Sequence, residues 1–262
     1  MHVRWGQLYG SAMSLWLAEA ARRASAPLLL IAADARQAAR FQDELRFYCG
    51  PELYIELFPD WETLPYDLFS PHPDIVSQRL RMLSVLPRLT KGIVIVDLET
   101  LLQRLAPQSY IDAHAFDLAV GTTLDLEQFR SRLTGAGYVA SSQVMAPGEF
   151  AVRGSLIDLF PMGSETPFRI DLFDQDVESI RIFDPETQRS GDKVPRLRLL
   201  PAREFPLTAE SVQAFKRRFR NRFPGDLTRM PVYQNIAEGA PPAGIEYYLP
   251  LFFDSTATLF DY

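Results

Sequence analysis

The chain is poor in the residues that carry most covalent and metal chemistry. It has one cysteine, Cys49, and three histidines, His2, His72 and His114, among 262 residues. A single cysteine excludes an internal disulfide framework and fits a reducing compartment. Three histidines and one thiol far apart in sequence speak against a metal site, which needs several ligands converging on one point. Cys49 falls at the end of an expected helix and reads as a partly buried small hydrophobe rather than a nucleophile. No G-x-x-x-x-G-K-[ST] loop is present. The nearest segment, Leu8-Tyr-Gly-Ser-Ala-Met-Ser14, keeps a glycine and a helix start but has no lysine to reach the β/γ-phosphates. A plain turn into a helix is its simplest reading, and ATP hydrolysis is not expected. A G-x-S-x-G nucleophile elbow is also missing, and Asp43-Glu44 reads as a solvated helix face. The expectation is no catalytic residue, no metal and no cofactor.

Long apolar runs are missing as well. The longest, Ala26–Ala33, is far too short to cross a bilayer. Met1-His-Val-Arg-Trp5 has neither an apolar core nor a small-residue cleavage site, so no signal peptide is expected. A cytoplasmic protein with no membrane partner follows. The formal net charge of −6 argues against a dedicated nucleic-acid surface and leaves a local basic patch open. What the chain has in quantity is apolar and aromatic material, 47% and 12% of its residues, enough for a packed core.

The first part alternates helix and buried strand, the signature of a parallel α/β sheet. Ser11–Arg23 is helical with Ser11 as candidate cap, and Pro27–Ala33 is a strand whose uniform apolarity suits a sheet covered on both faces. Asp34 caps a helix over Ala35–Tyr48. Leu53–Leu57 is a short strand, and Asp74–Leu86 is a helix stopped by Pro87. Gly92–Asp97 is the clearest strand, and Glu99–Leu105 is a helix. Beyond Ala106-Pro107 come a strand at Phe116–Val120, an amphipathic helix at Leu124–Leu133, and short strands at Phe150–Val152, Ser155–Phe160, Phe168–Phe173 and Ser179–Phe183 separated by turns. A helix from Thr208 or Ser211 to Arg222 follows, carrying Lys216, Arg217, Arg218, Arg220 and Arg222, most simply as a solvated face. The chain stops at Leu259-Phe-Asp-Tyr262 with no closing polar tail, as a fragment of a longer protein would.

Two segments are distinctive. Phe58–His72 holds three prolines and four aromatics, which excludes helix and central strand and predicts an ordered loop anchored by Trp61, Tyr66 and Phe69. Gly148–Gly163 and Phe168–Asp174 form the second. Their motifs, Asp60-Trp-Glu-Thr-Leu-Pro-Tyr-Asp67 with Ser70-Pro-His72, Asp158-Leu-Phe-Pro161, Arg169-Ile-Asp-Leu-Phe173, Phe183-Asp184 and Pro242-Ala-Gly-Ile-Glu-Tyr247, resemble the N-terminal UvrB-like module of the bacterial transcription-repair coupling factors (Mfd) across nearly the whole chain.

The resemblance implies a degenerate helicase-like (P-loop-like) α/β domain at 1–114, an inserted α+β UvrA-binding domain at 115–201, and the start of the return into the first domain at 202–262. It implies a non-catalytic adaptor that docks UvrA. The full-length protein would displace stalled RNA polymerase by ATP-driven DNA translocation, binding polymerase and DNA through domains outside this chain. The connection from Asp67 to Asp74 is too short for the long hairpin with which UvrB clamps damaged DNA. The family's partner contacts map onto Arg153, Arg169 and Phe173, with Arg181 added as a cation on the next strand. Strand alternation puts Arg169, Asp171 and Phe173 on one face, a pairing of guanidinium and aromatic that suits a hot spot. Against this stand a merely solvated arginine face and a Phe173 turned into the core with Leu172 outside. Reversing both arginines to glutamate is expected to abolish UvrA binding and leave the fold intact. The competing functions are a nucleotide-dependent UvrB-like DNA-processing enzyme and a docking surface covered by contact with other domains of the full-length protein.

Overall fold

The computed structural model describes residues 6–65 and 67–262. The expected anchor Tyr66, and Met1–Trp5, lie outside the described residues. In chain order the elements are α1 Ala12–Arg23, β1 Leu28–Ala32, α2 Ala35–Cys49, β2 Ile55–Leu57, α3 Pro73–Val85, β3 Ile93–Asp97, α4 Leu98–Leu101 and α5 Gln108–His114. There follow β4 Phe116–Ala119, α6 Leu126–Gly135, β5 Val139–Ala140, β6 Glu149–Arg153, β7 Leu156–Leu159, β8 Phe168–Phe173 and β9 Asp176–Phe183. The chain ends with β10 Ser190–Val194, β11 Arg196–Leu199, α7 Ala209–Arg222 and α8 Pro231–Ala237. No helix is long and apolar enough to cross a membrane among the described residues.

These elements divide into two compact units. One takes the described residues up to Asp60 with Val85–Gln103; the other takes Trp61–Ser84 and Arg104–Tyr262. In the first, β1, β3 and β2 form a parallel sheet in that order. The apolar stripe of α2, Ala38, Phe41, Leu45 and Cys49, packs with Ala18 and Ala21 of α1 against Ile93 and Ile95. Cys49 is buried there, and desolvation pushes its thiol pKa up. Asp34 caps α2 by accepting from the Gln37 amide at 2.7 Å. Three expectations shift. Ser11 stands at the start of α1 without a capping bond, because its hydroxyl is 2.7 Å from the Tyr48 hydroxyl. Glu44 is not a solvated acid, since Ser14 donates to it at 2.5 Å. β1 is an edge strand whose Leu29 and Ile31 are 37% and 45% exposed, whereas all five residues of the central β3 are buried. Uniform apolarity therefore marks both faces as covered for β3 alone.

The second unit contains a six-stranded sheet in the order β10-β9-β8-β7-β6-β5 and a two-stranded pair, β4 with β11. All neighbours in the large sheet run antiparallel except β5 and β6. Its inner face carries Phe150, Ile157, Leu159, Ile170, Leu172 and Ile180, all buried, as period-two alternation requires. The region expected as a helix over Glu99–Leu105 is only the single turn α4. Leu105 instead forms a bridge with Ala257, which ends the helix by giving its backbone another partner.

Trp61 is 3% exposed, but Phe69, expected beside it, is 58% exposed. The difference lies in the polar handle. The Trp61 indole donates to Glu204 Oε1 at 3.0 Å, and its ring lies 4.6 Å from the Arg79 guanidinium carbon. Arg79 Nε in turn donates to the same carboxylate oxygen at 2.6 Å, with side-chain exposures of 0% and 2% for the pair. Tyr247 meets Trp61 edge-on at 5.2 Å and donates to the Thr63 carbonyl. Gly244, at φ 77°, is required here, since a Cβ would stand 2.4 Å from the Asp67 carbonyl oxygen. The cluster Phe205, Phe215, Phe219, Ile236, Ile245 and Phe252 closes the C-terminal helices. The basic face of α7 is only partly solvated: Arg218 donates to the Leu251 carbonyl at 2.9 Å and to Asp254, and Arg220 to the Tyr233 hydroxyl at 2.8 Å.

Removing one member of the buried pair leaves the other charge without compensation. Arg79→Met is expected to lower the unfolding free energy by about 3–5 kcal/mol. Arg79→Met/Glu204→Gln, which keeps the acceptor for Trp61, is expected to recover most of that loss. Urea midpoints of the two variants and the wild type measure this; a single variant as stable as the wild type would refute the role of the pair.

Candidate docking surface

The outer face of the six-stranded sheet is built by register. Ala151, Asp158, Arg169, Arg181 and Lys193 are direct cross-strand partners on β6, β7, β8, β9 and β10 in turn. Directly paired residues project to the same side of a sheet. Alternation along β8 puts Ile170 and Leu172 inside and leaves Phe173 74% exposed at the turn into β9. Phe173 therefore faces out and Leu172 in. Four residues along a strand separate Phe173 from Arg169, about 13 Å at 3.3 Å per residue.

Asp158 is the centre of this face, at 1% exposure. Arg169 donates to it through Nε at 2.7 Å and Nη2 at 2.9 Å, a bidentate fork. The other terminal nitrogen of Arg169 donates to the Gln188 carbonyl at 3.1 Å and the Ser190 hydroxyl at 3.3 Å. Its guanidinium carbon lies 5.0 Å from the Phe183 ring centroid. Phe183 belongs to a small outer cluster with Val144, Ala151 and Phe160. The Asp158 hydrogen bonds raise the Arg169 pKa above the ordinary arginine value, so its charge is permanent.

Arg153, on β6, is two strands away from Arg169 on β8 and reaches the same acid from the opposite side. Its Nη1 is 3.6 Å from Asp158 Oδ2, and its Nη2 donates to the Ser142 carbonyl at 2.5 Å. About half of its side chain, 49%, remains accessible, against 15% for Arg169. The structure thus brings Arg153 and Arg169 together on Asp158, sets Arg181 beside Arg169, and holds Phe173 at the far end of the same face. Because Arg169 is tied into the sheet, its reversal to glutamate would force a second carboxylate against buried Asp158. The expectation that both arginines can be reversed with the fold intact is corrected on that ground.

Asp158 stands in the sequence as part of a family motif and not as a site residue, and Lys193 carries no motif at all. Asp158 lies in a tract of apolar residues, and its alternation with Ile157 and Leu159 was the available signal. Lys193 lies in Ser190-Gly-Asp-Lys-Val194, which has no strand pattern; only pairing with β9 makes it one.

Two other features of the molecule are concave or open a helix. A cavity of about 270 Å3 in the second unit is lined by Ser70, Arg203, Phe205, Pro241 and Glu246, among others. Desolvation raises the Glu246 pKa while Ser70 donates to it at 3.0 Å. In the first unit, Gly10 to Ser14 opens α1, but the hydroxyls of Ser11 and Ser14 are engaged by Tyr48 and Glu44 of α2. Among the described residues no group of three or more His, Cys, Asp or Glu is placed to hold a metal ion.

Residues 116–205 match the model of the UvrB interaction domain family. The chain is 44% identical over 260 residues to the transcription-repair-coupling factor of Escherichia coli strain K12, covering 98% of this chain and 22% of that protein. It is 43% identical to the factor of the same name from Haemophilus influenzae, covering 100% of this chain and 23% of that protein. The factor from Staphylococcus aureus strain USA300 is 35% identical over 214 residues, 81% of this chain and 18% of that protein.

Two outcomes are expected. Asp158→Asn weakens a charge-assisted fork and should destabilise the protein by about 1.5–3 kcal/mol in denaturant titrations; a change within error would remove Asp158 as the organiser of this face. Glu246 has a folded pKa above its unfolded one, so its contribution is fully present below about 4.5 and is lost as pH rises through the raised value. Glu246→Gln should therefore gain thermal stability relative to the wild type as pH climbs from 4.5. A difference independent of pH would contradict the burial argument.

Proposed function

The chain belongs to the transcription-repair-coupling factors, matching their N-terminal part and spanning about a fifth of their length, and from that premise we propose that it is a non-catalytic adaptor that docks UvrA through the outer face of its six-stranded sheet. The observation that carries this reading is Phe173. It is a large aromatic, 74% exposed, on the same face as Arg153 and Arg169 and inside the segment matched by the UvrB interaction domain family. Phe47 and Phe260 are about as exposed, at 81% and 69%, but Phe173 shares its sheet face with partly desolvated arginines, and an aromatic anchor on one face with arginines is the usual composition of a binding hot spot.

In the reading proposed here Phe173 fills an apolar pocket on UvrA. Arg153, half-exposed and aimed by Asp158, supplies a charged contact, and Arg169 mainly holds the surface in shape. The first unit is a degenerate helicase-like domain without ATP chemistry. The engagement of the Ser11 and Ser14 hydroxyls by α2 supports this over a nucleotide-dependent UvrB-like enzyme, because a phosphate cradle needs those groups and its backbone amides free. In the full-length protein, further domains bind RNA polymerase and translocate on DNA with ATP in the cytoplasm, and this module brings the excision machinery to the stalled complex.

Calorimetric titration with purified UvrA tests the docking role. Phe173→Ala and Arg153→Ala are each expected to weaken binding by roughly 2 kcal/mol or more, about 30-fold, with unfolding midpoints near the wild type because Phe173 is 74% exposed and Asp158 keeps its Arg169 fork when Arg153 is truncated. Undiminished affinity in both variants would show that the surface lies elsewhere. A folded wild type that does not bind UvrA would remove the adaptor reading itself.

A further inference from the structure

The geometry points to a docking surface that continues past Arg169 through Arg181 and Lys193, two unpaired cations on β9 and β10 built to receive an acidic protein surface. This inference rests on the docking role proposed above for the same face. Arg169 pairs directly with Arg181, and Arg181 with Lys193. Adjacent strands lie about 4.8 Å apart, so the three positions stand in one line across neighbouring strands, with the Arg169 guanidinium drawn onto Asp158. Like charges placed directly opposite one another destabilise a sheet. Thirty-three acidic residues are available in the chain, yet the carboxylates of this face on β7 and β8 are engaged elsewhere. Asp158 holds Arg169 and Arg153, and Asp171 accepts from the Ser179 hydroxyl at 2.7 Å. Among the described residues neither Arg181 nor Lys193 has an ion-pair partner; Lys193 is exposed and Arg181 half-buried.

Such a row raises the free energy of the free protein and lowers that of a complex whose carboxylates come opposite it. The sign pattern along the sheet also sets the orientation. The hairpin around Phe173 carries exposed Asp174, Asp176 and Glu178, so the face is cationic at one end and anionic around its aromatic anchor. A partner that matches it has acids facing β9 and β10 and an apolar pocket with cations nearby facing the hairpin. A nucleic-acid backbone fits less well, because its uniform negative charge would meet the acids of the hairpin and a chain of net charge −6.

The test uses Arg181→Glu and Lys193→Glu as single variants. Each converts a like-charged cross-strand pair into an opposite one, so thermal midpoints should stay level or rise. UvrA affinity should fall roughly tenfold in each, with a shallower dependence on salt concentration than the wild type, the signature of a lost long-range charge contact. If both variants bind like the wild type with the same salt dependence while Phe173→Ala binds weakly, the extension is wrong and the docking role stands. If the wild type does not bind UvrA, both fail together. If the two variants lose affinity for a short DNA duplex but keep it for UvrA, the row is a phosphate-binding surface and the assignment to an acidic protein is overturned.

Discussion

The buried Arg79–Glu204 pair is the constraint on which the second unit is built. A guanidinium and a carboxylate at almost zero exposure are tolerated only if their hydrogen-bonding capacity is met. Meeting it determines where several segments go. The Glu204 carboxylate takes both Arg79 and the Trp61 indole, and the Arg79 guanidinium lies against the Trp61 ring. Helix α3, the proline-rich loop and the chain leaving β11 thereby meet at one point. Tyr247 against Trp61 and the close approach at Gly244 add the C-terminal segment to the same knot. Residues separated by well over a hundred positions are brought together by a single unsatisfied-charge problem and its solution.

A second ion pair, at Asp158, uses the same chemistry for a different end. Here too a carboxylate at 1% exposure is held by an arginine fork, but the arginines lie at the boundary with solvent. The outcome is graded. Arg169 is mostly absorbed into the sheet, Arg153 is half-available, and Arg181 and Lys193 have nothing to satisfy them among the described residues. Charge is concentrated by the register of the strands, and the hydrophobic anchor Phe173 is separated from it by the length of β8. The two arginines held by Asp158 are pre-aimed, which reduces the ordering cost of association at that end of the surface.

Much of this was legible in the chain. β3 was plain from its β-branched run bounded by Gly92, α2 from Asp34 and its apolar stripe, and β8 from strict alternation that already put Arg169 and Phe173 on one side. The edge position of β1, the shortening of the helix after Asp97, and the strands β10 and β11 were not legible. Each depends on which partner a segment finds. Leu29 and Ile31 are no less apolar than the residues of β3, and only their place at the sheet edge exposes them. Ser190–Val194 becomes a strand because β9 offers it hydrogen bonds, against its own weak propensity. Phe69 and Trp61 looked equivalent as aromatic anchors, and the difference came from a carboxylate 143 residues away from Trp61.

The sequence by itself determined the elements with strong local signals, the lack of a lysine-bearing phosphate loop, and the motifs that mark the family. These are properties of short stretches, set by periodicity, capping and composition. Tertiary structure alone decided which charges are free. Arg153, Arg169, Arg181 and Lys193 carry the same formal charge, and their sequence positions do not rank them. Burial of Asp158 and the pairing of five strands do, because the energy of a charge depends on the dielectric around it and on the charges that folding places next to it.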